Sequence, residues 1–162
     1  MRRALSAITM CSTRCKINSI SILDLETTEL VGTITHPSFN EPGGVGRRVG
    51  SNREILVANF AGNTISVVDS RTRQVVDVIS SAALQTPSQV TSLNRVRYVS
   101  NFDTNSIAVI DPRSHIRLLL EDDRFDGPGG VAFDKKKKRL YVTSFHTTEI
   151  TILRVKCGGR SH

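Results

Sequence analysis

Residues 98–111 read YVSNFDTNSIAVID, and this stretch decides the fold because close copies of it recur along the chain. Residues 56–69 read LVANFAGNTISVVD, residues 141–153 read YVTSFHTTEITIL, and residues 18–24 hold a shorter copy, NSISILD. The first isoleucine of each copy falls at positions 20, 65, 107 and 150, so the spacings are 45, 42 and 43 residues. A fixed period of this length is typical of architectures in which one supersecondary unit is repeated.

A second motif keeps the same period. Pro-Gly-Gly-Val at 42–45, Pro-Ser-Gln-Val at 87–90 and Pro-Gly-Gly-Val at 128–131 begin 45 and 41 residues apart. Apolar, β-branched residues alternate with small or polar ones within each unit, and Asn, Asp, Gly and Pro separate the runs. No amphipathic helix of useful length is visible, so each unit is predicted to be a sheet of four short strands.

The four strands of a unit are labelled A to D in chain order. Strand A is expected near 44–49, 89–93 and 130–134, strand B near 54–59, 96–101 and 138–144, strand C near 63–69, 105–111 and 148–154, and strand D near 74–79 and 115–120. A repeated four-stranded unit of about 40–45 residues predicts the blades of a β-propeller. One small twisted sheet cannot bury both of its faces, whereas blades stacked around an axis can.

The predicted fold is therefore all-β, a partial β-propeller of three to four four-stranded antiparallel blades. Residues 1–162 are expected to form one repeat domain, with flexible termini at 1–7 and 156–162. The expected blade units are 8–36, 42–80, 87–121 and 128–155.

The strand count also exposes a deficit. It reaches about 14 strands, or about three and a half blades, whereas closed propellers have at least four blades and more often six to eight. An open arc would leave apolar blade faces and strand edges uncovered. Three alternatives follow: the chain is a fragment of a longer propeller, it completes a ring by association with other copies, or it is a stable open arc.

Two stretches resemble known propeller repeats. YVSN at 98–101 and YVTS at 141–144 resemble the motif that names the YVTN β-propeller repeats, and NSIAVID at 105–111 is similar to the rest of that repeat. GPGGVAFD at 127–134 resembles a strand of NHL and SMP-30/gluconolactonase-like propellers. The resemblance covers roughly residues 8–155. It implies a propeller fold without fixing the activity, because such repeats serve enzymes, scaffolds and surface proteins alike.

The resemblance also bears on metal binding. Calcium-dependent hydrolases of the SMP-30-like group carry Asn ligands directly after a proline, and this chain has Gly43, Ser88 and Gly129 there. Glycine offers no side-chain oxygen, and a hard cation needs several oxygen ligands. Glu41, Asp103 and Asp126 do not form an evident converging set. We expect no metal and no cofactor.

Composition narrows the class of protein. The net charge is +7, from 22 Lys+Arg against 15 Asp+Glu, which favours acidic partners; the alternative explanation is ordinary surface charge. No aromatic residues are interleaved with the basic ones for base stacking, so nucleic acid is not the expected partner. No stretch approaches 18 uninterrupted apolar residues, so no membrane span is expected.

The cysteines and the N-terminus bear on location. Cys11, Cys15 and Cys157 lack the pattern of a zinc site, and we interpret them as reduced thiols, which favours an intracellular protein. The first 23 residues contain four basic residues and no acidic one. That start is typical of mitochondrial transit peptides, but these residues also align with the opening strands of the fold. The expected location is the cytoplasm or the mitochondrion.

One end of the predicted blades is rich in cations, because A–B and C–D turns share one side of a propeller. The candidate basic binding face comprises Arg47, Arg48, Arg95, Arg97, Lys135, Lys136, Lys137, Lys138 and Arg139. Such a face binds phosphate groups or an acidic protein surface. The alternative is that the lysine run is a solvated hairpin turn.

Two further sets recur with the repeat. Asn59 and Asn101 end strand B in successive units, where they form either a polar ring near a ligand or local bonds to their own turns. The glycines of the Pro-Gly-Gly motifs, Gly43, Gly44, Gly129 and Gly130, are expected to admit the inner strand where blades crowd the axis.

The leading functional hypothesis is a non-catalytic propeller scaffold that binds a protein or ligand, either as a fragment of a larger propeller or as a subunit in one. The expected partners are another protein, which includes the possibility of an acidic one, or other copies of this chain that cover exposed blade faces. One alternative is a propeller hydrolase of the lactonase or esterase type. Another is a structural subunit of a larger, organellar assembly. No catalytic residue is assigned, because no Ser/His/Asp or Cys/His set is assembled by the repeat.

Overall fold

The computed structural model describes residues 18–47 and 53–155, and every regular element in these ranges is a β-strand. In chain order the strands are β1 (Ser19–Leu23), β2 (Leu30–Thr35), β3 (Pro42–Arg47), β4 (Glu54–Asn59), β5 (Thr64–Asp69), β6 (Gln74–Ser80), β7 (Pro87–Leu93), β8 (Val96–Asn101), β9 (Ser106–Ile110), β10 (Ile116–Glu121), β11 (Pro128–Asp134), β12 (Arg139–Ser144) and β13 (Ile150–Arg154).

The strands form four separate antiparallel sheets, which we call blades 1 to 4. Blade 1 is β1-β2, blade 2 is β3-β4-β5-β6, blade 3 is β7-β8-β9-β10 and blade 4 is β11-β12-β13. This confirms the predicted all-β fold of partial propeller blades. The strand B expected for blade 1, within unit 8–36, falls outside the described residues. Strand A begins at its proline in blades 2, 3 and 4, two residues earlier than expected, because each proline already pairs with the last residue of strand B.

Short turns follow from residues that tolerate left-handed backbone. Asn94 and Arg95 have φ of 49° and 70° between β7 and β8, which is the backbone of a two-residue type I′ hairpin. Because the sheets are antiparallel meanders, the A–B and C–D turns of a blade lie at one end, the lower end. The B–C turns lie at the opposite, upper end.

The blades stack in chain order through three apolar clusters, one between each pair of neighbours. Blades 1 and 2 share a cluster that includes Ile20, Phe39 and Val68. Blades 2 and 3 share one that includes Ile65 and Val90, and blades 3 and 4 one that includes Ile107, Phe125 and Leu140, among others. Alternation within strand C decides which neighbour is contacted. In β5, Ile65 and Val67 face blade 3, whereas Val68 faces blade 2's other neighbour, blade 1.

Polar contacts set the alignment of neighbouring blades. The Ser92 hydroxyl donates to the carbonyl oxygen of Arg47 over 2.8 Å, and both lie at lower ends of inner strands. At the upper end the Ser88 hydroxyl donates to the Pro128 carbonyl oxygen over 3.2 Å. Equivalent ends of β3, β7 and β11 are therefore side by side.

An asparagine clamp repeats at each interface on the upper side. The side-chain oxygens of Asn18, Asn63 and Asn105 accept hydrogen bonds from the backbone N–H of Glu41, Thr86 and Gly127 in the following blade, over 2.9, 2.7 and 2.8 Å. Each acceptor stands two residues before the isoleucine of its repeat, and each donor precedes the proline of the next strand A. All three donor residues have positive φ, from 44° to 62°.

Blade 4 ends the described arc with one face uncovered. Ile150 and Ile152 hold the positions of Ile65 and Val67, yet they are 60% and 46% exposed, whereas Ile65 and Val67 are 0% and 3% exposed. Cross-strand pairing places Tyr141, Thr143 and Ala132 on the same side of the sheet. We call these five residues the open face of blade 4.

Candidate functional site

Most of the predicted basic face lies at the lower end of the arc. Arg47 ends β3, Arg95 lies in the β7–β8 hairpin, and residues 135–138 form the β11–β12 hairpin. Because the inner strands β3, β7 and β11 lie side by side with equivalent ends together, these cations occupy the same end of three successive blades. Arg47, Arg95 and all four lysines are exposed, and Arg139 is half-buried. Arg48 lies outside the described residues.

The run Lys135, Lys136, Lys137 and Lys138, which we call the lysine hairpin, is held by Asp134. One carboxylate oxygen of Asp134 accepts the backbone N–H groups of Lys136 and Lys137 over 2.9 and 3.0 Å. The backbone N–H of Val155 donates to the Lys138 carbonyl oxygen over 3.0 Å. These contacts fix the backbone through an Asx turn and leave the ammonium groups in solvent. The hairpin is thus a preformed cluster of four positive charges.

Arg97 does not belong to the exposed basic face. Its side chain is only 2% exposed, and its guanidinium donates to the Asp111 carbonyl oxygen over 3.2 Å. Arg97 occupies the strand B position that Ile55 and Leu140 fill in other blades, and that position points into an interface. The Arg97 guanidinium therefore binds the backbone at the end of strand C.

The C–D turns of blades 1 to 3 share an aspartate cap. Asp69 is the last residue of strand C in blade 2, and Asp24 and Asp111 directly follow strand C in blades 1 and 3. One carboxylate oxygen of each accepts two backbone N–H groups of the turn over 2.8 to 3.2 Å. The bonds from Thr72 and Arg71 lower the pKa of Asp69. Burial opposes ionisation of Asp111, but bonds from the His115 backbone and from Arg117 outweigh it and lower the pKa of Asp111.

The recurring Asn59 and Asn101 are both fully buried. Asn59 donates to the hydroxyls of Thr64 and Ser66 over 3.0 and 2.9 Å. Asn101 donates to the Ala83 carbonyl oxygen over 2.9 Å and accepts the Gln85 N–H over 3.2 Å, so it ties strand B to the connection that enters its own blade.

The Pro-Gly-Gly glycines differ between the two blades that carry them. A Cβ on Gly44 would overlap Gln89 and the Ser88 carbonyl oxygen of blade 3, and one on Gly43 would lie 3.2 Å from that oxygen. A Cβ on Gly129 would lie 4.0 Å from the Thr143 hydroxyl oxygen of its own blade, and one on Gly130 would lie 2.8 Å from the same oxygen. Close approach to a neighbouring blade explains the glycines only in blade 2.

An aromatic row at the upper end escaped the sequence prediction. Phe60, Phe102 and Phe145 each follow strand B, and Phe102 contacts both of the others edge to face, with ring centroids 5.7 Å apart. His146 packs against Phe145 at 5.2 Å. The signal was present, because the phenylalanines recur with the period of the repeat. Phe145 is 74% exposed at the end of the row.

Within residues 18–47 and 53–155, no group of three or more His, Cys, Asp or Glu side chains is placed to hold a metal ion. The hydrolase hypothesis stays a prediction. Among the same residues, no helix is long and apolar enough to cross a membrane.

Comparison with known proteins supports the architecture. No protein-family profile and no curated protein matches the chain. The Kuenenia stuttgartiensis hydrazine synthase has a similar solved structure, with a TM-score of 0.66 at 20% sequence identity. The match covers 83% of this chain and 39% of that chain, so the present chain spans well under half of its neighbour. At this identity the likeness concerns the fold alone.

Proposed function

We propose that the chain is a non-catalytic β-propeller scaffold with YVTN-type repeats, one part of a larger propeller, which binds an acidic partner through its lower end. It acts as one repeat domain over residues 1–162, with blade units at 8–36, 42–80, 87–121 and 128–155. We place that larger propeller in the cytoplasm or in an organelle.

The observation that carries the proposal is the lysine hairpin. Its four side chains are exposed, its backbone is fixed by Asp134, and Arg95 and Arg47 lie at the same end of the adjoining blades. A preformed cluster of cations loses little conformational freedom on binding, and it attracts a negatively charged surface from a distance.

Binding to heparin, used as a model polyanion, tests the proposal. We expect salt-sensitive binding, because exposed charges are screened over about 8 Å at physiological ionic strength. Replacing Lys135, Lys136, Lys137 and Lys138 by Gln should cut the affinity by at least about tenfold. The free energy of unfolding should change by no more than about 0.5 kcal/mol, because the substitutions are on the surface.

A matched pair separates a local site from general charge. The variant Lys135→Gln/Lys136→Gln and the control Arg71→Gln/Arg113→Gln each remove two exposed cations, the second pair from C–D turns. The lysine pair should weaken heparin binding more strongly. Equal effects of the two pairs, or unchanged binding by the quadruple variant, would reject the lysine hairpin as the binding site.

A further inference from the structure

Two features that the proposed function does not use lie together at the upper end of the blades. One is the aromatic row of Phe60, Phe102 and Phe145, and the other is a set of acidic side chains around it. B–C turns and D–A connections both lie at this end, because strand B ends and strand A begins there. The upper end therefore differs in charge from the basic lower end.

The phenylalanines of the row are positioned through the asparagine clamp. In blade 3 the Phe102 N–H donates to the Thr86 carbonyl oxygen over 3.1 Å, and the Thr86 N–H is the group that Asn63 of blade 2 holds. Phe60 and Phe145 make the same bond to the residue before the proline of their own blades, over 2.9 and 2.8 Å. The backbone therefore sets the spacing of the rings, and little conformational freedom is lost when a ligand binds them.

The central ring of the row packs on bare backbone. A Cβ on Gly127 would lie 3.0 Å from the Phe102 ring and 2.9 Å from the His146 ring. Gly127 also has a φ of 62°, so both the space and the backbone conformation require glycine there. Phe102 and Phe60 are half-buried and Phe145 is exposed. The row thus keeps ring surface in solvent, and its geometry is set before a partner binds.

The charge around the row is negative. The described turns and connections at this end are 36–41, 60–63, 81–86, 102–105, 122–127 and 145–149. They contain one Arg, no Lys and six acidic residues, namely Glu41, Asp103, Asp122, Asp123, Asp126 and Glu149. The Arg124 guanidinium is already paired with the Asp122 carboxylate over 2.6 and 2.7 Å. The remaining carboxylates give this end an excess of negative charge.

Three acidic side chains flank the row: Glu41, Asp103 and Asp126. Each is adjacent to a ring residue, either in sequence, as Asp103 is, or through a backbone hydrogen bond. All three are exposed, and none forms an ion pair within the part of the chain that the structure describes. They are therefore available to a cation that approaches the row.

Aromatic rings beside unpaired carboxylates are the groups that recognise an organic cation. The guanidinium of arginine suits them best, because it stacks on an aromatic face and donates two parallel hydrogen bonds to a carboxylate. Neighbouring ring centroids are 5.7 Å apart. Alternate side chains of an extended chain are separated by roughly 6.6 Å, a similar repeat. Three rings, one on each of three blades, therefore match an extended segment with several arginines.

We propose that the aromatic row and its three flanking carboxylates bind an extended, arginine-rich segment of a partner protein. The net charge of the chain is +7, so overall electrostatics oppose such a partner and recognition has to be local. The inference goes beyond the proposed function, because the surface lies at the opposite end from the lysine hairpin and takes a partner of opposite charge.

Binding of a nona-arginine peptide to the full chain, followed by fluorescence anisotropy, tests the proposal. We expect saturable binding that weakens as salt rises. Asp103→Asn/Asp126→Asn should weaken it by at least about fivefold, because two exposed carboxylates lose their charge. Glu26→Gln/Glu29→Gln also removes two exposed carboxylates, from the lower-end C–D turn of blade 1, and this matched control should bind as the parent does.

Comparison of nona-arginine with nona-lysine measures the aromatic contribution. Nona-arginine should bind about two- to fivefold more tightly. Phe60→Leu/Phe145→Leu keeps apolar side chains and leaves Phe102 on Gly127, and it should abolish this preference. Phe133→Leu, near the lower end of β11, is the control that should retain the preference. Denaturant titrations check that each variant is folded.

Three results would overturn the proposal. These are no binding of nona-arginine, equal weakening by the two carboxylate pairs, and an arginine preference that survives Phe60→Leu/Phe145→Leu. The second would indicate general charge attraction, and the third a site away from the aromatic row. All of these variants retain the lysine hairpin, so heparin binding should persist in them, and the two proposals can fail separately.

Discussion

Ile65 in blade 2 and Ile150 in blade 4 occupy the same place in the same repeat, yet one is 0% exposed and the other 60%. Both strands pair antiparallel with strand B of their own sheet, but β5 also pairs with strand D, where Ile79 lies opposite Ile65, whereas β13 is the edge strand of blade 4 among the described residues. The difference in exposure therefore has two sources, the fourth strand of the sheet and the next blade, which covers Ile65 with residues such as Val90 and Val99. Burial of this position therefore depends on the next repeat along the arc as well as on a complete sheet.

The largest expected effect comes from truncating this pair. Ile65→Ala should lower the free energy of unfolding by about 2–5 kcal/mol, because it leaves a cavity between blades 2 and 3. Ile150→Ala should cost less than about 1 kcal/mol, because the side chain is already largely in water. Denaturant titrations at concentrations where the chain is monomeric measure both, and equal losses would show that the two positions are not distinguished by their neighbours.

A smaller effect is expected at the asparagine clamp. Asn105→Gly removes the acceptor for the Gly127 N–H but still tolerates the φ of 49°, so it should cost about 0.5–1.5 kcal/mol. Thr148 holds the equivalent place in blade 4, which no described blade follows, and Thr148→Gly is the matched control. Urea unfolding should show a larger loss of unfolding free energy for Asn105→Gly than for Thr148→Gly. The reverse order would show that the clamp does not stabilise the interface between blades.

The smallest effect concerns pH. The pKa of Asp111 is lowered in the folded chain, so its stabilising contribution is present above its ordinary pKa of 3.8 and is lost as pH falls through the lower folded value. Asp111→Asn should make stability fall less steeply below about pH 4. Blade 4 has Arg154 at this position, and Arg154→Gln should leave the dependence of stability on acid pH unchanged. Thermal unfolding from neutral to acid pH measures both slopes.

The fold was predictable because its determinants are local and periodic. Alternation in residues such as Ile107 and Val109 specifies strands, and the spacing of the repeats specifies blades. The prediction that Arg97 is exposed is wrong: a basic residue indicates a surface position, but Ile55 and Leu140 hold the same place in the other repeats. The roles of Asn63 and Asn105 were not predicted, because their partners lie in the next blade and the contact depends on how blades are stacked.

One group of hydrogen bonds between blades joins a side-chain donor to a main-chain acceptor, and this bears on how such chains arise. Ser88, Gln89, Ser92 and Ser100 of blade 3 all donate side-chain hydrogen bonds to main-chain carbonyl oxygens of the adjoining blades. A carbonyl oxygen is present whatever residue carries it, so only the donor side of each bond must be encoded. A duplicated blade would bring its donors with it and find acceptors already in place. Growth of the array by gene duplication would then need few compensating substitutions, and drift on the acceptor side would be tolerated.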